Sequence, residues 1–143
     1  MVLCGLAALV VLAGFGPGAG RAEAASPKVI CLTKLGKHPQ GAYRSRPREC
    51  ALHEHGAKPA GGLNVIATRK LRWLRWGPSF AVARGRVELP GGHSAALKLT
   101  LTKPQRACGH TVFTRARVKG KIKYNGGSYP FDHSIALDRC RPR

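Results

Sequence analysis

The amino-acid sequence predicts an all-β protein, a small antiparallel sandwich or barrel with two disulfides, preceded by a cleaved signal peptide. Three features indicate this class. Apolar and polar residues alternate with a period of two through much of the second half, turn residues separate the alternating runs, and four cysteines follow an apolar leader. The ambiguous stretch, residues 63–76, mixes basic and apolar side chains around the helical circle and therefore has no amphipathic helix face.

Residues 1–25 are predicted to be a signal peptide. An apolar run over residues 2–15 is followed by Gly and Pro and then by the segment RAEAA, which ends in small residues that suit cleavage after one of its last two alanines. The run is shorter than the ~20 residues that a membrane-spanning helix needs. We therefore expect residues 26–143 to form one secreted domain, extracellular or associated with the cell envelope, monomeric and without a transmembrane segment.

After the leader, residues 26–33 predict a first strand, because the segment SPKVICLT is partly β-branched. Residues 34–62 predict a long loop, since Gly and Pro interrupt every periodic run, and loops of this length are usually tethered or functional. Arg44, Arg46 and Arg48 alternate with other residue types in this loop, which suits an exposed, extended segment.

Residues 63–76 hold both tryptophans, around which we expect the core to pack because an indole is large. In a regular strand Trp73 shares a side with Arg75, whereas Leu74 shares the opposite side with Trp76. The apolar face therefore switches within the strand. A β-bulge or a crossing between two sheets would produce such a switch.

A Gly-Pro turn then leads into a series of alternating runs. Residues 80–89 place small and branched side chains on one side, and residues 95–102 form the clearest half-buried strand, with leucines on one face. The remaining predictions are a loop at 103–110, a strand at 111–119 with Phe113 on its outer side, a hairpin at 121–131 and a final strand leading to Cys140.

The chain after the leader keeps Cys31, Cys50, Cys108 and Cys140, an even number that implies two disulfides in an oxidising compartment. Three pairings are open. We favour Cys31 with Cys50 and Cys108 with Cys140, because each pair closes a short loop and would stabilise the fold by roughly 3 kcal/mol. A zinc site is less favoured, since no C-x-x-C or H-x-x-x-H spacing is present.

The Leu-x-Trp-x-x-Trp-Gly block at residues 71–77, the Leu-Thr-x-Pro-x-x-x-Cys-Gly passage at 101–109 and the Phe-Thr-Arg triplet at 113–115 resemble packing motifs of small exported bacterial β-proteins of unknown function. The resemblance covers roughly residues 71–118. It implies export and β structure, and it implies no catalytic or ligand-binding residue.

Two short patterns contain residue types found in metal or hydrolytic sites. His53-Glu54-His55, together with His38, could supply metal ligands, but side chains at i and i+2 of an extended segment point opposite ways unless a turn intervenes. The Asp-His-Ser triplet at residues 132–134 has the residue types of a hydrolytic triad, yet successive strand residues face apart. Neither pattern predicts a site.

A ribonuclease-like enzyme is one alternative function, because paired histidines in a basic protein can supply acid and base catalysis. His93, His110 and His133 lie near predicted turns, but no spacing indicates that any two face each other. We therefore predict no catalytic residue, no metal and no cofactor. A second alternative is a secreted inhibitor that uses the disulfide-held loop at 34–62.

The net charge of +19 is unchanged by cleavage, since residues 1–25 contain one Arg and one Glu. Such a chain attracts polyanions. Guanidinium groups also bind phosphate or sulfate bidentately, and an exposed indole could stack on a base or sugar, although both tryptophans are more typical of a core with arginines lying over them. We therefore predict a non-enzymatic binding module for an anionic polymer: a cell-envelope polymer, an acidic polysaccharide or a nucleic acid.

The predicted contacts are basic residues that face outward on three strands. They are Arg69, Arg72, Arg75, Arg84, Arg86, Arg115, Arg117, Lys119, Lys121 and Lys123. The competing interpretation is that the charge only maintains solubility, and the two interpretations differ in whether the cations share one face.

Overall fold

The computed structural model describes residues 25–35, 39–56 and 65–141. These residues form eight strands: β1 (Val29–Lys34), β2 (Gln40–Arg44), β3 (Cys50–His53), β4 (Val65–Trp76), β5 (Ala81–Glu88), β6 (Ser94–Ala107), β7 (His110–Tyr124) and β8 (Gly127–Ala136). A three-residue 3-10 turn at Pro90–Gly92 joins β5 to β6. The predicted signal peptide at residues 1–25 lies outside the described residues, apart from its last residue. Within the described ranges there is no helix whose length and apolarity would let it cross a bilayer.

The strands make one antiparallel sheet in the order β2-β1-β3-β4-β5-β6-β7-β8. From β3 to β8 each strand pairs with the next along the chain, and β2 folds back against β1 at the edge. The sheet curls into a half-barrel, because Lys28 bridges to Val112 and Glu54 bridges to Leu137 across the gap. The all-β antiparallel class is confirmed, as one curled sheet rather than two stacked sheets.

The core lies on the inner face of this curl. Along β5 and β6 the inner residues alternate with exposed ones: Ala81, Ala83 and Val87 are buried, as are Leu97 and Leu99. This is the alternation that the sequence predicts for both strands. Burying one side chain in two along each strand leaves a second, solvent-facing surface on the outside of the same strands.

Two of the predicted loops are wrong because they contain strands. Residues 34–62 include β2, which pairs with β1, and β3, which pairs with β4. Gly and Pro obscure the alternation there, but a strand pairs through backbone N–H and C=O groups that side-chain patterns do not report. The predicted loop at 103–110 is also largely strand. β6 runs to Ala107 and β7 begins at His110, so a two-residue turn with positive φ at both positions joins them.

Phe113 is fully buried, where the sequence predicts an outward side chain. The ring of Trp76 packs edge-on against it, with ring centroids 5.6 Å apart. The backbone N–H of Phe113 donates to the carbonyl of Lys28 at 2.9 Å, across the line where the chain before β1 meets β7. The contact with Lys28 is a β-bridge at the edge of β7. Phe113 belongs to the same buried core cluster as Ala116 and Val118, and Val112 and Thr114 beside it are buried too, so the alternation stops at this end of β7.

Both favoured disulfides are present. Cys31 pairs with Cys50, with their Cα atoms 4.9 Å apart, and this bond joins β1 to β3. Cys108 pairs with Cys140, with their Cα atoms 5.6 Å apart, and this bond ties the β6–β7 turn to the end of the chain. Each bond therefore ties a part of the chain outside the β3–β8 meander, β1 in one case and the segment after β8 in the other, to the meander itself.

Candidate functional site

The outer surface of β4–β7 carries a continuous set of basic side chains. Arg84 on β5 lies opposite Arg72 on β4 and opposite Lys98 on β6, and Lys98 lies opposite Lys119 on β7. Residues directly opposite in an antiparallel sheet point to the same side, so these four cations form one row across four strands. All four are exposed. We call the outer surface of β4–β7 the basic outer face.

Two bulges in β4 bring its three arginines to this face. Arg69 pairs with Arg86 and Arg72 with Arg84, so β4 has one extra residue between them. Further along, Trp73 pairs with Ala83 but Arg75 pairs with Val82, the direct neighbour of Ala83 along β5. The extra residue there is Leu74, whose side chain is 61% exposed. The face switch predicted in this strand is confirmed, and a bulge produces it.

β7 supplies a second line of cations, along the strand rather than across it. Its outer side chains alternate with Ala116, Val118, Gly120 and Ile122 on the inner side, and the pairing with β6 and β8 continues without a shift over this part. The outer residues are Arg115, Arg117, Lys119, Lys121 and Lys123. All ten predicted contact residues therefore lie on the outer side of β4, β5 and β7.

Lys98 belongs to this face but was not among the predicted contact residues. It lies on β6 between the buried Leu97 and Leu99, so its outward direction follows from the alternation alone. A single lysine on this part of β6 gives no sign of a basic face until the neighbouring strands are placed beside it. Lys98 connects the cations of β4 and β5 with those of β7.

The spacing of the cations is set by the sheet. Neighbouring strands lie about 4.8 Å apart, and successive outer positions on one strand lie about 6.7 Å apart. Charges at such distances repel one another, but all of them are exposed to solvent, where each pair costs little. The result is a broad array of cations on a convex surface, with a small concavity of about 190 Å³ at one end that Arg69, Lys70 and Arg86 line in part.

Two carboxylates lie within this array and pair with some of its cations. Glu88 contacts Arg69 at 2.7 Å. Asp132 on β8 accepts two hydrogen bonds from Arg117, at 2.7 and 2.6 Å, and lies 3.4 Å from Lys119. These hydrogen bonds lower the pKa of the Asp132 carboxyl to about 2, the Arg117 guanidinium contributing more than Lys119. The same contact raises the pKa of Arg117.

The other cations of the basic outer face form no ion pair with a described carboxylate. Arg86 donates to the hydroxyl and carbonyl oxygens of Ser94, which ties its guanidinium to the first residue of β6. Arg75 lies over the ring of Phe80, 4.4 Å from its centroid. The set without an ion pair is Arg72, Arg75, Arg84, Arg86, Lys98, Arg115, Lys121 and Lys123.

The tryptophans belong to the core and not to the basic outer face. Their rings meet edge to face with centroids 4.5 Å apart, and both pack against the buried cluster. The indole N–H of Trp73 donates to the carbonyl of Pro47 at 2.8 Å, and that of Trp76 to the carbonyl of Pro27 at 3.1 Å. A stacking platform for bases or sugars is therefore not formed by these rings.

His53 and His55 both contact one carboxylate. Asp138 lies 2.7 Å from Nδ1 of His53 and 3.1 Å from Nδ1 of His55. A turn that follows Glu54 lets the two imidazoles approach the same side, which a regular strand would prevent. His38 lies outside the described residues. In the part of the chain that the structure covers, no group of three or more His, Cys, Asp or Glu side chains is placed to hold a metal ion.

The remaining histidines are spread over the molecule. His93 precedes the start of β6 and His110 follows its other end, so a 14-residue strand separates them. His110 stacks against Tyr43 with ring centroids 4.0 Å apart. His133 lies on the inner side of β8, while Asp132 and Ser134 point outward, so the Asp-His-Ser triplet does not converge.

A second polar concavity borders the basic outer face. It has a volume of about 740 Å³ and is lined in part by Arg44, Arg48 and Arg69, with Glu49 and Glu88 among them. Arg44 and Arg48 belong to the segment predicted as an exposed loop, and both are exposed. The concavity extends the basic surface toward the edge of the sheet near the Cys31–Cys50 disulfide.

Comparison of the chain with protein-family models, with curated proteins and with solved structures finds no match.

Proposed function

We propose that this protein is a secreted, non-enzymatic binding module for an anionic polymer, and that the polymer lies along the basic outer face. The observation that carries the proposal is the shared side of the ten predicted cations and Lys98, which the pairing of β4–β7 places together. Exposed cations also lie outside β4–β7, at Lys34, Arg46 and Arg139 among others, so the proposal rests on the density of cations on this face and not on the net charge alone. The two disulfides support the expectation of an oxidising compartment outside the cytoplasm.

The shape of the face favours a polymer over a small anion. A small anion is bound tightly where several donors converge on one point, whereas these side chains stand side by side on a convex sheet. A polymer that carries repeated phosphate, sulfate or carboxylate groups can use many such side chains in succession. Each contact is weak, and the sum depends on the release of bound counterions.

The experiment is a titration with heparin and with duplex DNA at several salt concentrations. We expect binding at 50 mM salt that weakens steeply as salt is added, because counterion release gives a slope of about −0.9 per phosphate neutralised on DNA. Absence of binding at 50 mM salt, or binding that salt does not affect, would remove the proposal.

A matched pair of variants tests whether the face is responsible. One variant changes Arg72, Arg84, Lys98 and Lys119 to Gln, which removes the row across four strands. The control changes Lys34, Arg46, Arg139 and Arg141 to Gln, which are exposed and lie outside both β4–β7 and the concavity beside them. We expect the slope on DNA to become shallower by about 3 to 4 in the first variant only. Equal losses in both variants would show that total charge matters and the face does not.

A further inference from the structure

The open end of the half-barrel contains an apolar cavity on the side opposite to the basic outer face. Its volume is about 460 Å³, which lies within the range of about 300–1,000 Å³ typical of small-molecule sites. Val87 on β5, Val118 and Ile122 on β7 and Phe131 on β8 line it from the inner surface of the sheet. The tryptophan pair fills the core elsewhere, against Phe113, and does not line the cavity.

A glycine keeps the cavity open. Phe131 lies opposite Gly120, and a Cβ atom built on Gly120 would lie 2.5 Å from Cζ of Phe131. The ring therefore lies flat against bare backbone of β7 instead of projecting into the interior. Any larger residue at position 120 would push the ring toward the space that is now empty.

The lining of the cavity is apolar except for two residues. Its two polar residues are Glu88 and His133, and Glu88 already pairs with Arg69. The side chain of His133 is exposed, forms no hydrogen bond with a described residue and can donate or accept one. A ligand that fits this lining has an apolar body and one hydrogen-bonding group.

The charge of the protein selects the sign of that group. The chain carries a net charge of +19, and Glu88, the one carboxylate of the lining, is already paired with Arg69. The field around the open end is therefore positive, which favours an anionic head group over a cationic one. We propose that the cavity binds a single-chain anionic amphiphile, such as a fatty-acid carboxylate, with its tail among Val87, Val118, Ile122 and Phe131 and its carboxylate at His133.

Calorimetric titration of the full folded domain with dodecanoate, below its micelle concentration, tests the proposal. We expect one molecule bound per chain, tighter than dodecanol, and tighter than dodecyltrimethylammonium. Ile122 is partly buried and lines the cavity, so Ile122→Trp places an indole in the cavity. This variant should weaken dodecanoate binding by about tenfold or more, because part of the tail then stays in water. His133→Leu should remove the preference for dodecanoate over dodecanol.

Two control variants separate binding in the cavity from binding elsewhere on the protein surface. Leu74→Trp adds an indole at an exposed position outside the cavity and should leave dodecanoate binding unchanged. The four-residue Gln variant of the basic outer face should also retain dodecanoate binding. The proposal of an amphiphile site and the proposal of a polymer-binding face can therefore be refuted independently of each other. Where Ile122→Trp does not fold, as judged by circular dichroism, Val65→Trp at the same cavity replaces it. Absence of binding to the unaltered protein, equal binding by the filled variant, or equal binding of the cationic amphiphile would overturn the proposal.

Discussion

Arg72 and Arg84 lie directly opposite each other on β4 and β5, so two guanidinium groups of like charge share one side of the sheet. Lys98 lies opposite Arg84 on its other flank. Like charges placed directly opposite are unfavourable to sheet stability, whereas opposite charges are favourable. The basic outer face therefore contains an arrangement that folding alone would not favour.

Arg84→Glu should stabilise the protein while weakening its binding to heparin. The new carboxylate faces Arg72 and Lys98, and cross-strand pairs of opposite charge contribute about 0.2–1 kcal/mol each. Urea unfolding and a heparin titration measure the two effects. Arg46→Glu makes the same charge change at an exposed position outside β4–β7. It should stabilise the protein less than Arg84→Glu and weaken heparin binding less. A loss of stability in Arg84→Glu would contradict the pairing described.

Asp132 should make stability depend on acid pH. Its pKa is lowered from an ordinary 3.8 to about 2, so its contribution is fully present above about pH 4 and is lost as the pH falls through about 2. Unfolding measured between pH 2 and pH 5 should show a smaller pH dependence in Asp132→Asn. At pH 7 the same variant releases Arg117 and Lys119, and its affinity for heparin should rise. An unchanged acid dependence, or weaker heparin binding, would argue against this role.

Trp73 and Trp76 should affect stability and not ligand binding. Replacing either by Ala removes a large packed ring and should cost about 3–5 kcal/mol, measured by urea unfolding. Trp76→Phe keeps much of the packing but leaves the carbonyl of Pro27 without its indole donor, a loss of about 1 kcal/mol. Intrinsic tryptophan fluorescence should stay nearly constant as DNA is added. Strong quenching would indicate that the indoles meet the nucleic acid.

Gly120→Ala should destabilise the protein and disturb the cavity. The added methyl group meets Phe131 and the backbone carbonyl of Ala96, and overpacking of this kind costs about 1–3 kcal/mol. Dodecanoate binding should weaken because the displaced ring takes up part of the cavity. A double variant, Gly120→Ala with Phe131→Leu, should recover stability. If the double variant is no more stable than Gly120→Ala alone, the clash with the carbonyl of Ala96 dominates the loss.

Each disulfide should contribute stability through the loop it closes. The bonds span 19 and 32 residues, which corresponds to about 3–4 kcal/mol each when the unfolded chain is treated as a flexible loop. Cys31→Ala with Cys50→Ala, and separately Cys108→Ala with Cys140→Ala, test this by urea unfolding. Mass spectrometry of the protein collected outside the cells should find a chain cut close to Ala25, with no free thiol. Free thiols on Cys31 or Cys50 would contradict the pairing.

The parts of the fold that could be predicted are those where one face is buried and the other exposed. The alternation in β5 and β6 predicts the inner residues of both strands, including Ala83 and Leu99. Phe113 shows where this reasoning fails, since Val112, Phe113 and Thr114 are all buried and the alternation of β7 stops there. β2 and β3 were missed because both are short and lie in a segment that Gly and Pro interrupt, and because their partners β1 and β4 lie outside that segment.

The candidate site could be predicted in its residues but not in its extent. Arg and Lys at alternating positions of a strand indicate that their side chains point outward. Only the register between the strands shows that the cations of different strands lie side by side. Lys98 was missed because one cation in a strand of leucines is unremarkable until its neighbours are known. The cavity has no signature in the sequence, because it forms between residues of β5, β7 and β8 that only the curl of the sheet brings together.

Each of the two bulges in β4 adds one residue to the strand without changing which side chains point inward. If Leu74 were paired in a regular ladder, Arg75 and Trp76 would exchange sides, which would place a cation in the core and an indole in water. The bulge therefore lets β4 carry one more residue than its partner without inverting the strand that follows. Deleting Leu74 should remove this bulge and leave Trp73, Arg75 and Trp76 on their present sides, whereas inserting a further residue should disturb them.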